Sequence, residues 1–202
     1  MQGLLVRILN ILKNANFHKL VQLFCAMITN RFLRTTVILL ILALNIGCDQ
    51  VSKAIVRHKL DYYDRIEFLN QHITLTKVEN TGAFLSVGDS LSKPFKIIFL
   101  NLLPLVAIVF GLFFILTKTS LDRVTLFGLI LVIGGGIGNL YDRVVHGSVT
   151  DFMHINFVIF QTGVFNVADL SITTGVFIML VHAYLQRKPK TEMNNLDENQ
   201  TN

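Results

Sequence analysis

Four stretches of this chain are too long and too apolar to sit comfortably in a small water-soluble fold. They cover residues 37–47, continued past a polar break by 54–56, then 97–116, 124–140 and 167–185. About 20 helical residues cross the hydrocarbon layer of a bilayer. Each run can therefore span, the first only if its helix continues through Asp49 and Lys53. Composition agrees, with 52% apolar and 15% charged residues, against about 25% charged in an average soluble domain. The expected fold class is mainly α: a polytopic membrane protein with four transmembrane helices.

The ends of the chain read differently. Residues 1–32 carry Leu4, Leu5, Ile8 and Leu9, then Val21 and Phe24, but Lys13, Asn14, Asn16, His18 and Lys19 interrupt them. That polarity suits a basic amphipathic extension lying on the bilayer better than a fifth span. Residues 188–202 are polar and free of aromatics, as expected of a disordered tail. Between them, residues 33–187 form the expected membrane domain.

Cations set the expected orientation. Arg7, Lys13, Lys19, Arg31 and Arg34 precede the first span, Lys118 and Arg123 separate the second and third, and Arg187, Lys188 and Lys190 follow the fourth. By the positive-inside bias these regions, and so both termini, are expected to be cytoplasmic. Residues 58–93 and 142–166 then face outward. The net charge of +5 is read as topology and contact with membrane lipids, not nucleic-acid binding. Cys25 and Cys48 offer no C-x-x-C pair, and the six histidines offer neither H-E-x-x-H nor short ligand spacing. Neither a disulfide framework nor a metal site is expected.

The outward segments hold the polar residues of interest. Residues 73–78 alternate apolar and polar side chains before the turn-prone Asn80-Thr81-Gly82, which predicts a small β element. Pro94 stands at the start of the second span, and Pro104 inside it is expected to kink it. Asp49 and Lys53, four apart on the first helix, are placed to pair along one face. Gly134-Gly135-Gly136-Ile137-Gly138 lacks the G-x-G-x-x-G spacing and lies within a span, so close helix packing is expected there rather than a nucleotide loop. Asn139 and Asp142 follow, and a structural pair between Asp142 and Arg143 is expected.

Two further acids flank the second outward segment. Asp151, in Gly147-Ser148-Val149-Thr150-Asp151-Phe152, has apolar neighbours and no adjacent cation. Asp169, in Phe165-Asn166-Val167-Ala168-Asp169, opens the fourth helix, where Asn166 as N-cap and Asp169 in the first turn would also serve a purely structural cap. Taken together, the pair is placed to converge on one pocket at the outer face. Two close carboxylates tend to share one proton, and that pairing suits peptide hydrolysis: the ionised acid takes a proton from water while the protonated one donates to the developing oxyanion. The dipole of the fourth helix favours ionised Asp169.

This succession of motifs resembles the signal peptidase II (lipoprotein signal peptidase) family: Asp49-Gln50-Val51-Ser52-Lys53, Asn80-Thr81-Gly82-Ala83-Phe84, Gly138-Asn139-Leu140-Tyr141-Asp142-Arg143, the Asp151 motif and the Asp169 motif, all in family order. The resemblance implies an aspartic endopeptidase of the bacterial inner membrane, without cofactor, with a small extracytoplasmic β-cradle over residues 58–93. It implies cleavage of prolipoproteins just before the diacylglyceryl-modified cysteine. It makes Asp151 and Asp169 catalytic, and it places Asn80, Asn139, Arg143 and Asn166 against substrate. Asp49, Lys53, Gly82, Asp142 and Ala168 become supports of the site, and a monomer is expected. Acyl chains of the substrate are expected against residues such as Phe152 and Phe165. The long segment before Leu33, and the absence of tryptophan from residues 154–164, depart from better-known members.

Other readings fare less well. Asn45-Ile46-Gly47-Cys48 after an apolar run imitates a lipidation signal, but Asn45 stands where a branched aliphatic is wanted and three more spans follow. A small transporter or channel subunit would carry its acids mid-bilayer rather than at the outer ends. Neither G-x-S-G nor G-x-G-D, the strings of the rhomboid and presenilin types, occurs. A type I signal peptidase would need a soluble catalytic domain that has no room here.

Overall fold

The computed structural model describes residues 31–69, 72–82, 93–157 and 160–186. The expected amphipathic extension, apart from Arg31 and Phe32, and the expected tail lie outside those residues. Contacts divide the chain within the first helix, into residues 1–41 and 42–202. Of the first unit, only the start of that helix is described.

Among the described residues, four helices are long and apolar enough to cross a membrane: α1 (Arg31–Lys59), α2 (Pro94–Thr117), α3 (Arg123–His146) and α4 (Val167–Leu185). Helix α1 runs unbroken through Asp49 and Lys53, as the short first run required. Helix α2 accommodates Pro104 by loosening rather than breaking. Residues Ile97–Leu102 are π-helical, and Leu103 N donates to Ile98 O five residues back. The wider turn absorbs the irregularity created by a residue with no N–H. Helix α3 starts at Asp122, whose side chain accepts from Thr125 N, and stops at Gly147, whose φ of 80° is left-handed. Large apolar side chains such as Phe110, Phe113 and Phe177 point outward from the bundle, a cost in water but none in lipid.

The glycine-rich run of α3 is a packing device. A Cβ on Gly135 would stand 2.4 Å from Ala168 O, and one on Gly138 would stand 2.5 Å from Asp49 Oδ2. Lower down, Gly128 and Gly175 meet, each glycine's added Cβ coming within 2.9 Å of the other's carbonyl. Small residues let α3 and α4 approach closely, and this crossing brings Asn139 and Asp169 to the same level.

At one end of the bundle stands an antiparallel sheet of four strands in the order β1 (Ile66–Phe68), β2 (Ile73–Asn80), β3 (Val149–Phe157), β4 (Phe160–Gln161). Strand β3 is leashed to α3 by only Gly147 and Ser148, so the sheet stays close to the helix ends. The β2–β3 register slips between Leu75 and Val78, which opposes Val78 to Asp151 and Asn80 to Val149. Val56 and Leu60, at the end of α1, and Phe152 form a small core under this sheet, covered by Leu75 and Met153.

Candidate active site

Each polar side chain of the site is delivered by the end of an element. Asp151, near the start of β3, is buried. Its Oδ2 accepts from Asn80 Nδ2 at 3.0 Å and its Oδ1 from Asn166 Nδ2 at 2.7 Å. Asn80 is itself fixed, because its Oδ1 accepts from Gly82 N in a tight turn. Asp169 lies in the first turn of α4, in a reciprocal cap: Asn166 Oδ1 accepts from Asp169 N, and Asp169 Oδ2 accepts from Asn166 N. The second oxygen of Asp169 accepts from Asn139 Nδ2 at 2.8 Å. The cap and the acid pair therefore coexist, and Asn166 serves both, since one amide holds Asp151 while anchoring the backbone of Asp169.

Below the acids lies a buried ion cluster. Lys53 Nζ reaches Asp49 at 2.8 Å, Asp142 at 2.9 Å and Asn139 Oδ1 at 2.9 Å, which uses all three of its protons. Lys53, Asp49 and Asp142 are fully buried. Asp49 also accepts from Ala168 N at 2.9 Å, which ties α1 to the turn that presents Asp169. A buried charge of this kind is tolerable only when every partner is in place, since deleting one strands another.

The expected Asp142–Arg143 pair does not form. Asp142 points to Lys53 and to Arg57 Nη2 at 3.0 Å, whereas Arg143 Nη2 donates to Gly82 O at 3.0 Å and Nη1 to Asn139 O. Adjacent helical residues lie about 100° apart around the axis and do not face one another. Arg143 thereby joins the turn after β2 to the groove in front of the acids.

All eleven residues singled out from the sequence thus fall in one connected network. Five others were not singled out. Gln50 Nε2 donates to Asp49, to Gly138 O and to Asp142. Arg57 Nε donates to Thr150 Oγ1, while Thr150 and Ser148 both donate to Glu79. Arg57, Ser148, Thr150 and Glu79 together clamp the β2–β3 register beside Asp151. In sequence Arg57 is one of several cations closing α1, and Glu79 is a polar position in an alternating strand. Only the register reveals them.

Burial raises the Asp151 carboxyl from its ordinary 3.8 to about 6. The amide of Asn80 pulls the other way, and the charge of Asp169 adds to the rise. Asp169, half-buried, lies at the wall between two cavities. One, of about 250 Å³, is almost wholly apolar and lined by Ile155, Val164, Phe165 and Leu170. The other, of about 440 Å³, is lined by Phe99, Leu100, Asn139, Arg143 and Ile172. Phe165 therefore borders open space, but Phe152 does not, because it is packed against Val56 and Leu60. Of the two rings expected to meet acyl chains, only Phe165 is accessible to one.

Fold and site together define a four-span membrane protein with two amide-clasped carboxylates beside an amphipathic groove, at the sheet-bearing end of its bundle. The profile of Signal peptidase (SPase) II matches residues 40–185. The lipoprotein signal peptidase of Streptococcus pneumoniae (strain ATCC BAA-255 / R6) is 32% identical over 149 residues, 73% of this chain and 92% of that protein. That of Clostridioides difficile (strain 630) is 36% identical over 156 residues, 75% and 98% of the two chains. A bacterial membrane enzyme solved by the in meso method at 2.3 Å resolution superposes with a TM-score of 0.67 at 25% identity, over 78% of this chain and 94% of that one. The chain belongs to the signal peptidase II family, and is a membrane peptidase.

Proposed function

We propose that this peptidase cleaves prolipoproteins just before their diacylglyceryl-modified cysteine, at the extracytoplasmic face of the bacterial inner membrane, with Asp151 and Asp169 as its acid–base pair. The observation that carries the reading is the double clasp of Asn166, which holds one carboxylate by its side chain and the other by its backbone.

The pair shares one proton, and Asp151 is its natural seat, being the more buried of the two and raised to about 6. Asp169, at the positive end of the α4 dipole, is the ionised partner. In this mechanism Asp169 accepts a proton from the attacking water while Asp151 donates its own to the carbonyl oxygen, giving a neutral gem-diol. Collapse returns the hydroxyl proton to Asp151, and the proton held by Asp169 passes to the cysteine nitrogen as the C–N bond breaks. The amide donors Asn80, Asn139 and Asn166 keep both acids oriented, and Arg143 lines the groove where the peptide backbone lies. The apolar cavity against Phe165 and Leu170 suits an acyl chain at the same depth. All of these side chains come from one chain, so a monomer suffices. The cations around the opposite helix ends support cytoplasmic termini.

The test is the position of the cut. Purified protein in lipid nanodiscs is given a diacylglyceryl-modified prolipopeptide and its unmodified twin, and products are weighed. The expected product begins at the lipidated cysteine and the unmodified peptide stays intact; a cut elsewhere, or equal cutting of both, contradicts the reading.

A further inference from the structure

The strand ends that seat Asp151 carry two sets of side-chain bonds, one on each face of the sheet. After the slip in register, β2 meets β3 as Val78 to Asp151, Glu79 to Thr150 and Asn80 to Val149. Alternation along each strand puts Asn80 and Asp151 on one face, where the Asn80 amide donates to the carboxylate, and Glu79, Ser148 and Thr150 on the other. There Glu79 Oε1 accepts from Thr150 Oγ1 at 2.8 Å, and Oε2 accepts from Ser148 Oγ at 2.5 Å. Thr150 is fully buried, and its hydroxyl is also held from behind, because Arg57 Nε donates to it at 2.8 Å. A guanidinium only donates, so the hydroxyl proton points at Glu79. Arg57 is in turn paired with Asp142 of α3 at 3.0 Å.

We infer that Glu79 is a positioning residue of this peptidase: it locks the register of β2 on β3, and so keeps the Asn80 amide on the Asp151 carboxylate. The bulge between Leu75 and Val78 already lets β2 slip against β3. A further slip of one residue would carry Asn80 to the face away from Asp151. Gly82 N fixes the Asn80 side chain within its own turn, and Arg143 holds that turn to α3, but neither bond reaches β3. Glu79 does reach it, with one bond to the residue just before Asp151 and a second two residues further back. Slipping would break both and leave the buried Thr150 hydroxyl without its acceptor. The inference rests on the reading of Asp151 as the acid, and it gives Glu79 no contact with substrate.

The test follows kcat and KM for a diacylglyceryl-modified prolipopeptide across the acidic and neutral range, with full chains in lipid nanodiscs. Glu79→Leu, Glu79→Gln, Asn80→Leu and the double variant Glu79→Leu with Asn80→Leu are compared with wild type. The Asn80 amide favours the ionised form of Asp151, so its loss moves the alkaline limb of kcat/KM to higher pH. Glu79→Leu is expected to lower kcat about ten-fold at unchanged KM and to raise that limb by about one pH unit. Asn80→Leu is expected to give the same shift, and the double variant to go no further. Glu79→Gln, which can accept from Thr150 and donate to Ser148, is expected to keep the wild-type profile. The charges of Asp169 and Lys53, which Asp151 also feels from α4 and α1, are the same in every variant. A wild-type limb in folded Glu79→Leu overturns the inference. So does a shifted limb in Glu79→Gln, which marks an effect of charge, or an additive double variant. Where Glu79→Leu does not fold, Thr150→Val keeps the side chain's shape without the shared hydroxyl, and a wild-type limb there overturns the inference equally. Asp151→Asn in the same assay tells the two readings apart. Activity in that variant overturns the assignment of the acid and this inference with it, whereas its inactivity beside a wild-type limb in Glu79→Leu overturns the inference alone.

Discussion

Asp151 is pulled in opposite directions by its surroundings: burial favours its neutral form, and the amides of Asn80 and Asn166 favour its charge. Burial prevails, and a value of about 6 against an ordinary 3.8 has a signed consequence for stability. The folded state holds the proton more tightly than the unfolded one, so the stabilisation is complete below about pH 4 and is lost as pH rises through about 6. By this linkage Asp151→Asn, which has no such proton, gains on wild type by about 3 kcal/mol between pH 3.5 and 7, read as the pH dependence of the difference in Tm. If Asp151 is the acid, kcat/KM of wild type also declines above pH 6. Much of this residue's setting was legible in the sequence, because an acid among apolar neighbours with no adjacent cation has little structural explanation. Gln50, Arg57, Thr150 and Glu79 were not. Their meaning lies in bonds to segments far away in the chain, and nothing local distinguishes them from ordinary helix-end and strand polarity.

At the scale of elements, the crossing of α3 over α4 sets the spacing of the acids. Gly135 and Gly136 are neighbours in one run with opposite demands. An added Cβ on Gly135 meets the Ala168 carbonyl at 2.4 Å and Ile172 Cγ1 at 2.8 Å, whereas one on Gly136 meets only Ile108 side-chain atoms at 3.4 Å. Gly135→Ala must push α4 away just before Asp169; it is expected to cost about 1–3 kcal/mol and most of the activity, with Gly136→Ala close to wild type. Thermal unfolding and turnover of the two variants check it, and equal behaviour would mean that the crossing is slack. Periodicity and hydropathy made the four helices and the strand at residues 73–78 legible, but the π-helical stretch of α2 and the two-residue β4 were not. A π-turn has no composition of its own, and so short a strand exists only through its partner.

For the molecule as a whole, the sheet and the acid pair share one end of the bundle, and the α2–α3 turn marks the other. Lys118 and Arg123 at that turn support the proposed orientation, with the turn cytoplasmic and the site outside. A cysteine at Tyr63, 97% exposed, is expected to react with a membrane-impermeant maleimide in intact cells. One at Thr119 is expected to react only after lysis; the reverse pattern inverts the topology. The helix count rests on long-range averages of apolarity, which is why it can be read without contacts. The way the sheet seats Asp151 rests on a register slip that no average records.

Most direct for the central claim, that Asp151 and Asp169 act as one pair, is turnover of a diacylglyceryl-modified prolipopeptide by wild type, Asp151→Asn and Asp169→Asn, with a chelator present throughout. Each substitution keeps the side chain's shape and removes its proton chemistry. Wild type is expected to cut, and both variants, shown to be folded by their thermal unfolding, to be inactive. Near wild-type turnover by either variant would reduce that aspartate to a cap or a buried acid and contradict the pairing.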